Sequence, residues 1–180
     1  MLFKGEIVSL EEILQAKEER VACYQELLKE HPGTIVSYKL NIPGPIKAND
    51  LINRIFDAGL NSWFYHLEKN SISPLNPKFV YQKTGPEYYT VLKNDPLSIK
   101  ELTTSIEESH SLGRLFDFDV SDSGLNPYNR QQKRKCLICE RDAFTCGRTK
   151  AHDLTTLQNK IIEMVEAYCS GKGCVLKLNR

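Results

Sequence analysis

Hydrophobic positions at the start of the chain recur near helical spacing. Over residues 10–30, leucine, isoleucine, valine and tyrosine fall mainly on one side of a projected helix. Ser9 precedes this stretch and Glu12 follows three positions later, which is the pattern of a capping box. We therefore expect a helix over residues 10–30. After a Pro32-Gly33 break, β-branched residues alternate with polar ones and predict a strand over residues 34–40.

The rest of the chain continues to alternate between helical and extended patterns. Asp95 followed by Pro96 is a helix start signal, because aspartate caps the first turn and proline fits the first helical position. The further predicted elements are a helix over 50–60 closed by Gly59, a strand through Trp63, Tyr65 and Leu67, a turn-rich connector over 71–77, a hairpin of strands 79–81 and 88–92 around Gly85-Pro86, a helix over 97–109, a strand over 113–120, a helix over 153–170 and a final strand over 174–178.

This mixture of elements predicts a single α+β domain over residues 1–180, with a mixed or antiparallel sheet and flanking helices. With 180 residues, 41% of them hydrophobic and 26% charged, the chain has the composition of one ordinary globular domain. No apolar run approaches the roughly 18 residues that cross a bilayer, and Glu6 interrupts the first apolar stretch. We therefore expect a cytoplasmic protein with no membrane partner.

Positive charge is concentrated in one segment, although the net charge of the whole chain is only +1. Residues 130–150 contain seven basic side chains against Glu140 and Asp142, a local balance of +5. A nearly neutral protein with one basic segment is better suited to a compact anion such as a polyphosphate than to nucleic acid. The alternative is a solvated, charged loop.

Two acidic residues share one face of the predicted strand over residues 113–120. The alternation of a strand places Asp117 and Asp119 on one side and Phe116, Phe118 and Val120 on the other. The two carboxylates repel each other unless a cation lies between them, and oxygen ligands of this kind suit magnesium. Magnesium would neutralise a leaving pyrophosphate in phosphoryl or nucleotidyl transfer. The alternative is a polar, solvated strand face.

Three of the six cysteines lie in the basic segment. Cys136, Cys139 and Cys146, with His152, supply the sulfur and imidazole ligands of a tetrahedral zinc site. A continuous helix over residues 140–151 would place Cys139 and Cys146 two turns apart, about 10 Å, so zinc requires a break in that helix. Otherwise the cysteines pack as small hydrophobic residues or line a pocket. Whatever the cysteines do, Arg148 and His152, one helical turn apart, would face one anion together.

Several longer motifs occur in a characteristic order. They are Asn41-Ile42-Pro43-Gly44-Pro45 with Lys47, Thr84-Gly85-Pro86-Glu87, Glu107-Glu108-Ser109-His110, Gly113-Arg114-Leu115-Phe116-Asp117-Phe118-Asp119-Val120, and Arg134-x-Cys136-Leu137-x-Cys139 with Ala143, Cys146, Arg148 and His152. In this order and spacing, from about Glu19 to His152, the chain resembles the apo-citrate lyase phosphoribosyl-dephospho-CoA transferase family, also called citrate lyase holo-acyl-carrier-protein synthases. That family looks like a distant relative of nucleotidyltransferases, although Thr104-Ser105 stands where those enzymes have Gly-Ser.

The resemblance implies a reaction and a set of roles. The enzyme would transfer the phosphoribosyl-dephospho-CoA group from its triphosphate precursor, triphosphoribosyl-dephospho-CoA, to a serine of the citrate lyase acyl-carrier (gamma) subunit, releasing pyrophosphate. The implied site residues are Asp117 and Asp119 for magnesium, Arg114, Arg134 and Arg148 for the triphosphate, Asn41 and Lys47 for a further phosphate or the ribose, His152 beside Arg148, and His110 or Glu108 as the proton acceptor.

Two other functions remain open at this stage. The same chemistry would serve another carrier, such as the carrier subunit of malonate decarboxylase. A zinc-bearing module that binds nucleic acid or protein without catalysis would also explain the basic cysteine segment. Because acyl carriers are generally acidic, Lys133 and Lys135 would serve either to dock the carrier or to bind the triphosphate.

Overall fold

A computed structural model describes residues 2–171. Within this range the chain forms five α-helices and one five-stranded sheet. In chain order the elements are α1 (Leu10–Glu30), β1 (Thr34–Leu40), α2 (Asp50–Lys69), β2 (Leu75–Gln82), β3 (Gly85–Leu92), α3 (Pro96–Ser109), a 3-10 turn (Gly113–Leu115), β4 (Phe116–Ser121), β5 (Pro127–Tyr128), α4 (Ala143–Arg148) and α5 (Leu154–Gly171).

The strands lie in the order β2-β3-β1-β4-β5, and every neighbouring pair is antiparallel. The predicted α+β fold is confirmed, and the sheet is antiparallel rather than mixed. In the register of the central strands, Lys39 of β1 lies opposite Glu87 of β3 and Asp117 of β4. These side chains therefore share one face of the sheet.

The two faces of the sheet have different chemistry. On one face, the Tyr38 ring stacks on Phe56 of α2 and Phe118 of β4, with centroids 4.8 and 4.4 Å away. This face holds the main hydrophobic core, which α2, α3 and α5 complete. Helix α1 covers the other face, where a smaller apolar cluster that includes Cys23 and Leu27 lies beside a network of charged and hydroxyl groups.

Strong local signals predicted several elements correctly. Helix α1 has the expected bounds and a complete capping box, in which Ser9 and Glu12 each accept the other's backbone N–H. Helix α3 begins at Pro96 with Asp95 as its N-cap. Strand β1 and the β2–β3 hairpin are also confirmed, and α5 begins at Leu154, one residue after the predicted start.

The predicted strand through Trp63, Tyr65 and Leu67 is wrong, because α2 continues to Lys69. Gly59 does not end this helix. A Cβ atom at Gly59 would lie 1.9 Å from the Tyr38 hydroxyl, so glycine is required for the close approach of helix and sheet. Trp63 and Leu67 are both buried, one helical turn apart.

Two strand boundaries also differ from the prediction. Strand β2 begins at Leu75, within the predicted connector, because Leu75 pairs with Val91 across a register shift. Strand β4 begins at Phe116 rather than Gly113, since residues 113–115 form a tight 3-10 turn beneath the end of α3. The predicted strand over residues 174–178 lies outside the described residues. No helix within residues 2–171 combines the length and apolar character needed to cross a membrane.

Candidate active site

Asp117 and Asp119 project from the same face of β4 toward one point. Both carboxylates contact the Lys39 ammonium, with Nζ–Oδ2 distances of 2.9 Å for Asp117 and 2.5 Å for Asp119. Asp119 is the more exposed of the two, with 58% of its side chain accessible against 33% for Asp117. The strand alternation placed both acids correctly. The cation that lies between them in this structure is the Lys39 ammonium, which the sequence analysis did not anticipate.

Lys39 and Asp117 stabilise each other's ionised forms. Burial alone would raise the pKa of Asp117, but the charge of Lys39 and its hydrogen bond outweigh this and hold the pKa below its usual value. Burial opposes ionisation of Lys39 as well, yet the two carboxylates raise its pKa above the usual range. Asp117 therefore remains ionised at neutral pH and is available to a cation.

These carboxylates line an open cavity of about 760 Å³, here called the carboxylate cavity. Five cationic side chains line it, against three carboxylates. The cations are Lys17, Arg20, Lys100, Arg130 and Arg134, and the carboxylates are Glu107, Asp117 and Asp119. This excess of positive charge around a pair of convergent acids favours binding of a polyphosphate together with a cation.

Glu107 orients two of the arginines from beneath the carboxylate cavity. It is buried and accepts a hydrogen bond from the Phe118 backbone N–H at 2.9 Å, which anchors it to β4. Its other carboxylate oxygen pairs with Arg130 and with Arg134, the latter at 2.6 Å. Arg134 also donates to the Phe116 carbonyl at 3.0 Å. Both guanidinium groups are thereby fixed beside β4.

Helix α1 supplies the opposite wall. Arg20 forms a two-pronged ion pair with buried Glu87, and its Nε lies 3.1 Å from Oε2. The Tyr24 hydroxyl donates to Ser37 at 2.7 Å, and burial raises the pKa of Tyr24 to about 12. Tyr24 is therefore a neutral hydrogen-bonding group rather than a base at neutral pH.

A second cavity, of about 480 Å³, lies beside the first and is here called the Cys/His cavity. It contains several predicted substrate-binding residues, namely Asn41, Arg114, Arg134 and His152, and also Lys150. Burial, followed by the charges of Arg134 and Arg130, lowers the pKa of Arg114. Arg134 lines both cavities and so connects them.

The four predicted zinc ligands form one compact group, the Cys/His cluster (Cys136, Cys139, Cys146 and His152). Their ligand atoms all lie within 4.8 Å of one another, so this cluster could bind a metal ion. The neighbouring Arg141 hydrogen bonds, followed by that of His152, lower the pKa of Cys139 to about 6, whereas burial raises that of Cys146 to about 11.

The helix that would have separated the cysteines is short. Helix α4 covers only Ala143–Arg148, so Cys139 precedes it and its Sγ lies 3.6 Å from Cys146 Sγ. The prediction that Arg148 and His152 lie on one helix is wrong for the same reason. Lys150 adopts a φ of 47° beyond the helix end, and the chain turns there before His152.

Comparison with known proteins identifies the family to which this site belongs. The family model described as apo-citrate lyase phosphoribosyl-dephospho-CoA transferase matches residues 8–168. The chain belongs to this family. A probable apo-citrate lyase phosphoribosyl-dephospho-CoA transferase of Vibrio cholerae serotype O1 (strain M66-2) is 37% identical over 166 residues, covering 89% of this chain and 93% of the relative. The transferase of the same description from Escherichia coli O1:K1 / APEC is 34% identical over 158 residues, covering 86% of each chain.

The family and the activity predicted from the motifs are thus confirmed. The enzyme is a transferase that attaches a prosthetic group to the acyl-carrier subunit of citrate lyase. The family match also covers both cavities, since the residues that line them lie between residues 8 and 168.

The remaining predicted residues line neither the carboxylate cavity nor the Cys/His cavity. Lys47 lines a smaller cavity and donates to the Ile42 carbonyl at 2.5 Å. Arg148 is exposed and lies over the Phe144 ring, 5.8 Å from its centroid. Glu108 is exposed and lies 3.5 Å from Arg130. The structure does not bring His110 to the carboxylates.

His110 packs instead on the core side of β4. Its ring lies 4.8 Å from the Phe116 ring and 5.5 Å from that of Tyr168, and its Nδ1 accepts the Leu112 backbone N–H at 3.0 Å. These contacts give His110 a packing role at the end of α3.

Sequence reasoning missed Lys39, Arg20, Lys100 and Glu107. Lys39 follows the buried Tyr38 in β1, so the alternation of the strand does place Lys39 on the other face of the sheet. A lysine at that position indicates that this face is polar. No sequence signal gave the register that sets Lys39 beside Asp117. Arg20 and Lys100 sit in helices where single basic residues are common, so their positions at the cavity follow only from tertiary packing.

Proposed function

We propose that the carboxylate cavity is the centre at which this enzyme transfers phosphoribosyl-dephospho-CoA from its triphosphate precursor to a serine of the citrate lyase acyl-carrier subunit. A bond forms between the serine oxygen and the innermost phosphorus of the triphosphate, and the bond from that phosphorus to pyrophosphate breaks. The observation that carries this proposal is the convergence of Asp117 and Asp119 within a cavity lined by five cations.

The carboxylate pair has the chemistry of a magnesium site. Two carboxylates reach one nitrogen, and the Lys39 ammonium occupies the position that a cation shared by both acids would take. Asp117 and Asp119 would hold the ion in the place that the Lys39 ammonium takes between them. When bound, magnesium supplies charge neutralisation of the triphosphate and of the departing pyrophosphate.

The enzyme's own side chains bind and orient the triphosphate. Arg130 and Arg134, fixed by Glu107, present guanidinium groups whose planar geometry matches phosphate oxygens. Lys17 is exposed at the α1 side of the same cavity and adds a further ammonium group. Of the two predicted proton acceptors, we retain Glu108, because its contact with Arg130 places it beside the cavity.

The Cys/His cavity suits the dephospho-CoA portion of the precursor. Its volume lies within the range of small-molecule sites, about 300–1,000 Å³. Leu115, Leu137 and Leu157 contribute apolar surface, while Arg114 and Arg134 offer positive charge to phosphate groups. Because Arg134 borders both cavities, one extended precursor can occupy the two together.

The direct test combines purified enzyme, triphosphoribosyl-dephospho-CoA and apo-carrier, with and without magnesium. We expect one pyrophosphate released and one prosthetic-group mass added per carrier when magnesium is present. Magnesium should be omitted rather than chelated, because a chelator would also attack a metal bound at the Cys/His cluster. Omission should lower the rate about 100-fold or more. An unchanged rate would rule out the magnesium assignment. The same assay with the malonate decarboxylase carrier in place of the citrate lyase carrier shows which of the two the enzyme modifies faster.

A further inference from the structure

We propose that the Cys/His cluster binds one zinc ion as a closed structural site. The cluster lies outside the carboxylate pair and takes no part in the transfer step described above. Its three thiols and one imidazole are the donor set of a structural zinc site. Magnesium and calcium prefer oxygen donors, so the two sets of ligands in this enzyme select different metals.

The distances between the donor atoms match those around a tetrahedral zinc ion. With Zn–S bonds of about 2.3 Å, tetrahedral angles place neighbouring sulfurs about 3.8 Å apart. Cys139 Sγ lies 3.6 Å from Cys146 Sγ and 3.4 Å from His152 Nε2. All four donors lie within 4.8 Å of one another, so small side-chain movements suffice to bring them to one ion.

The backbone holds the first two ligands in a tight turn. Cys136 N–H donates to the Arg141 carbonyl at 2.8 Å, and Ala143 N–H donates to the Arg134 carbonyl at 2.8 Å. Within this turn, Ile138 N–H points at Cys136 Sγ, 3.5 Å away. A backbone N–H directed at the sulfur stabilises a thiolate, which is the form that binds metal.

The other two ligands are delivered by α4 and by the turn after it. Asp142 caps α4 by accepting the Thr145 N–H at 2.8 Å, which fixes the helix that carries Cys146. Beyond the helix, Ala151 N–H donates to the Cys146 carbonyl at 3.0 Å. The chain therefore returns His152 to the same side as the cysteines.

The zinc ion would be structural rather than catalytic, because four protein donors leave no open coordination position. Residues 129–142 contain no helix or strand, so a metal cross-link provides rigidity that regular structure does not. The cluster also borders the Cys/His cavity, and the Arg134 carbonyl belongs to its turn. Zinc would thus fix the backbone from which Arg134 reaches the carboxylate cavity.

Metal analysis of the purified full-length enzyme tests the proposal independently of activity. We expect one zinc per chain in the wild type and a loss of at least about 80% in Cys139→Ala and Cys146→Ala. Cys23→Ala is the matched control, because Cys23 is a buried cysteine of α1 outside the cluster. It should retain one zinc. Equal zinc contents in all four proteins, or less than about 0.1 zinc per wild-type chain, would overturn the proposal.

A second measurement decides the matter if the alanine variants do not fold. Cobalt is exchanged into the wild-type enzyme, and its visible spectrum is recorded. Tetrahedral thiolate coordination gives intense visible bands and sulfur-to-cobalt charge-transfer absorption, and this is the expected result. A weak spectrum of octahedral cobalt, or a spectrum without charge transfer, would contradict the proposal.

Discussion

At the scale of single residues, the central feature is Lys39, which lies between two carboxylates that would otherwise repel each other. Its side chain and that of Asp117 are mostly buried, at 23% and 33% exposed. The strand pattern predicted the two acids on one face, but it did not reveal their partner. Pairing between β1 and β4, set by the whole sheet, brings Lys39 to them.

Replacing Lys39 by methionine should leave the two acids without compensation. We expect Lys39→Met to lower the free energy of unfolding by about 1–2 kcal/mol, a buried-pair cost reduced for partial exposure. Magnesium should raise the melting temperature of the variant more than that of the wild type, because it replaces the missing cation. Lys83→Met, which removes exposed ion pairs with Glu6 and Glu12, is the control and should show no such response. A variant indifferent to magnesium would contradict the assignment.

Asp117 should make the enzyme sensitive to acid. Its pKa in the folded state lies below the unfolded value of about 3.9, so its stabilising contribution is present above that pH. The contribution is lost as pH falls from about 4 through the lowered pKa. Asp117→Asn should therefore be less stable than the wild type at neutral pH, and the difference should shrink toward pH 3. Denaturant unfolding across about pH 6 to 3 measures this, and a difference independent of pH would contradict it.

At the scale of elements, capping signals predicted helix starts well, whereas a glycine was misleading. Ser9 and Asp95 act through neighbouring backbone groups, so their effect is local and legible in the sequence. Gly59 is needed because Tyr38 of another element contacts it. Glycine can thus either end a helix or permit close packing within one, and only the tertiary structure shows which role a given glycine has.

Gly59 in α2 and Gly147 in α4 should respond oppositely to alanine. Gly59→Ala should lower the free energy of unfolding by about 1–3 kcal/mol, because the Cβ meets Tyr38 and overpacking outweighs the gain in helix propensity. At Gly147 an added Cβ would meet no atom within 4 Å, so Gly147→Ala should be neutral or stabilising by up to about 1 kcal/mol. Chemical denaturation measures both. Equal effects would contradict the packing argument.

At the scale of the whole molecule, the order of the motifs was enough to predict the family. The arrangement of the site residues depends on the fold and could not be predicted in the same way. Asn41, Arg114 and Arg134 are far apart in the sequence and meet in the Cys/His cavity. Their family pattern could be read from the chain, but the arrangement of two cavities that share Arg134 could not. Arg134 lies within residues 129–142, which have no regular secondary structure and so no periodic signal.

The basic segment should also dock the acidic carrier. Lys133 is exposed, and Lys133→Glu should raise the carrier KM several-fold, up to about tenfold, with kcat and the precursor KM unchanged. Lys29→Glu, at an exposed lysine in the last turn of α1, is the charge-matched control. A rise in the precursor KM instead would place Lys133 at the triphosphate and contradict carrier docking.

The most direct test of the account is the intact mass of the carrier after reaction with variants of the carboxylate pair. Asp117→Asn and Asp119→Asn should each slow attachment of the prosthetic group about 100-fold or more, because each removes a carboxylate from the proposed magnesium site. Asp122→Asn, which alters a partly exposed acid in the turn after β4, should react at the wild-type rate. Carrier modified at the wild-type rate by both Asp117→Asn and Asp119→Asn would show that transfer takes place elsewhere.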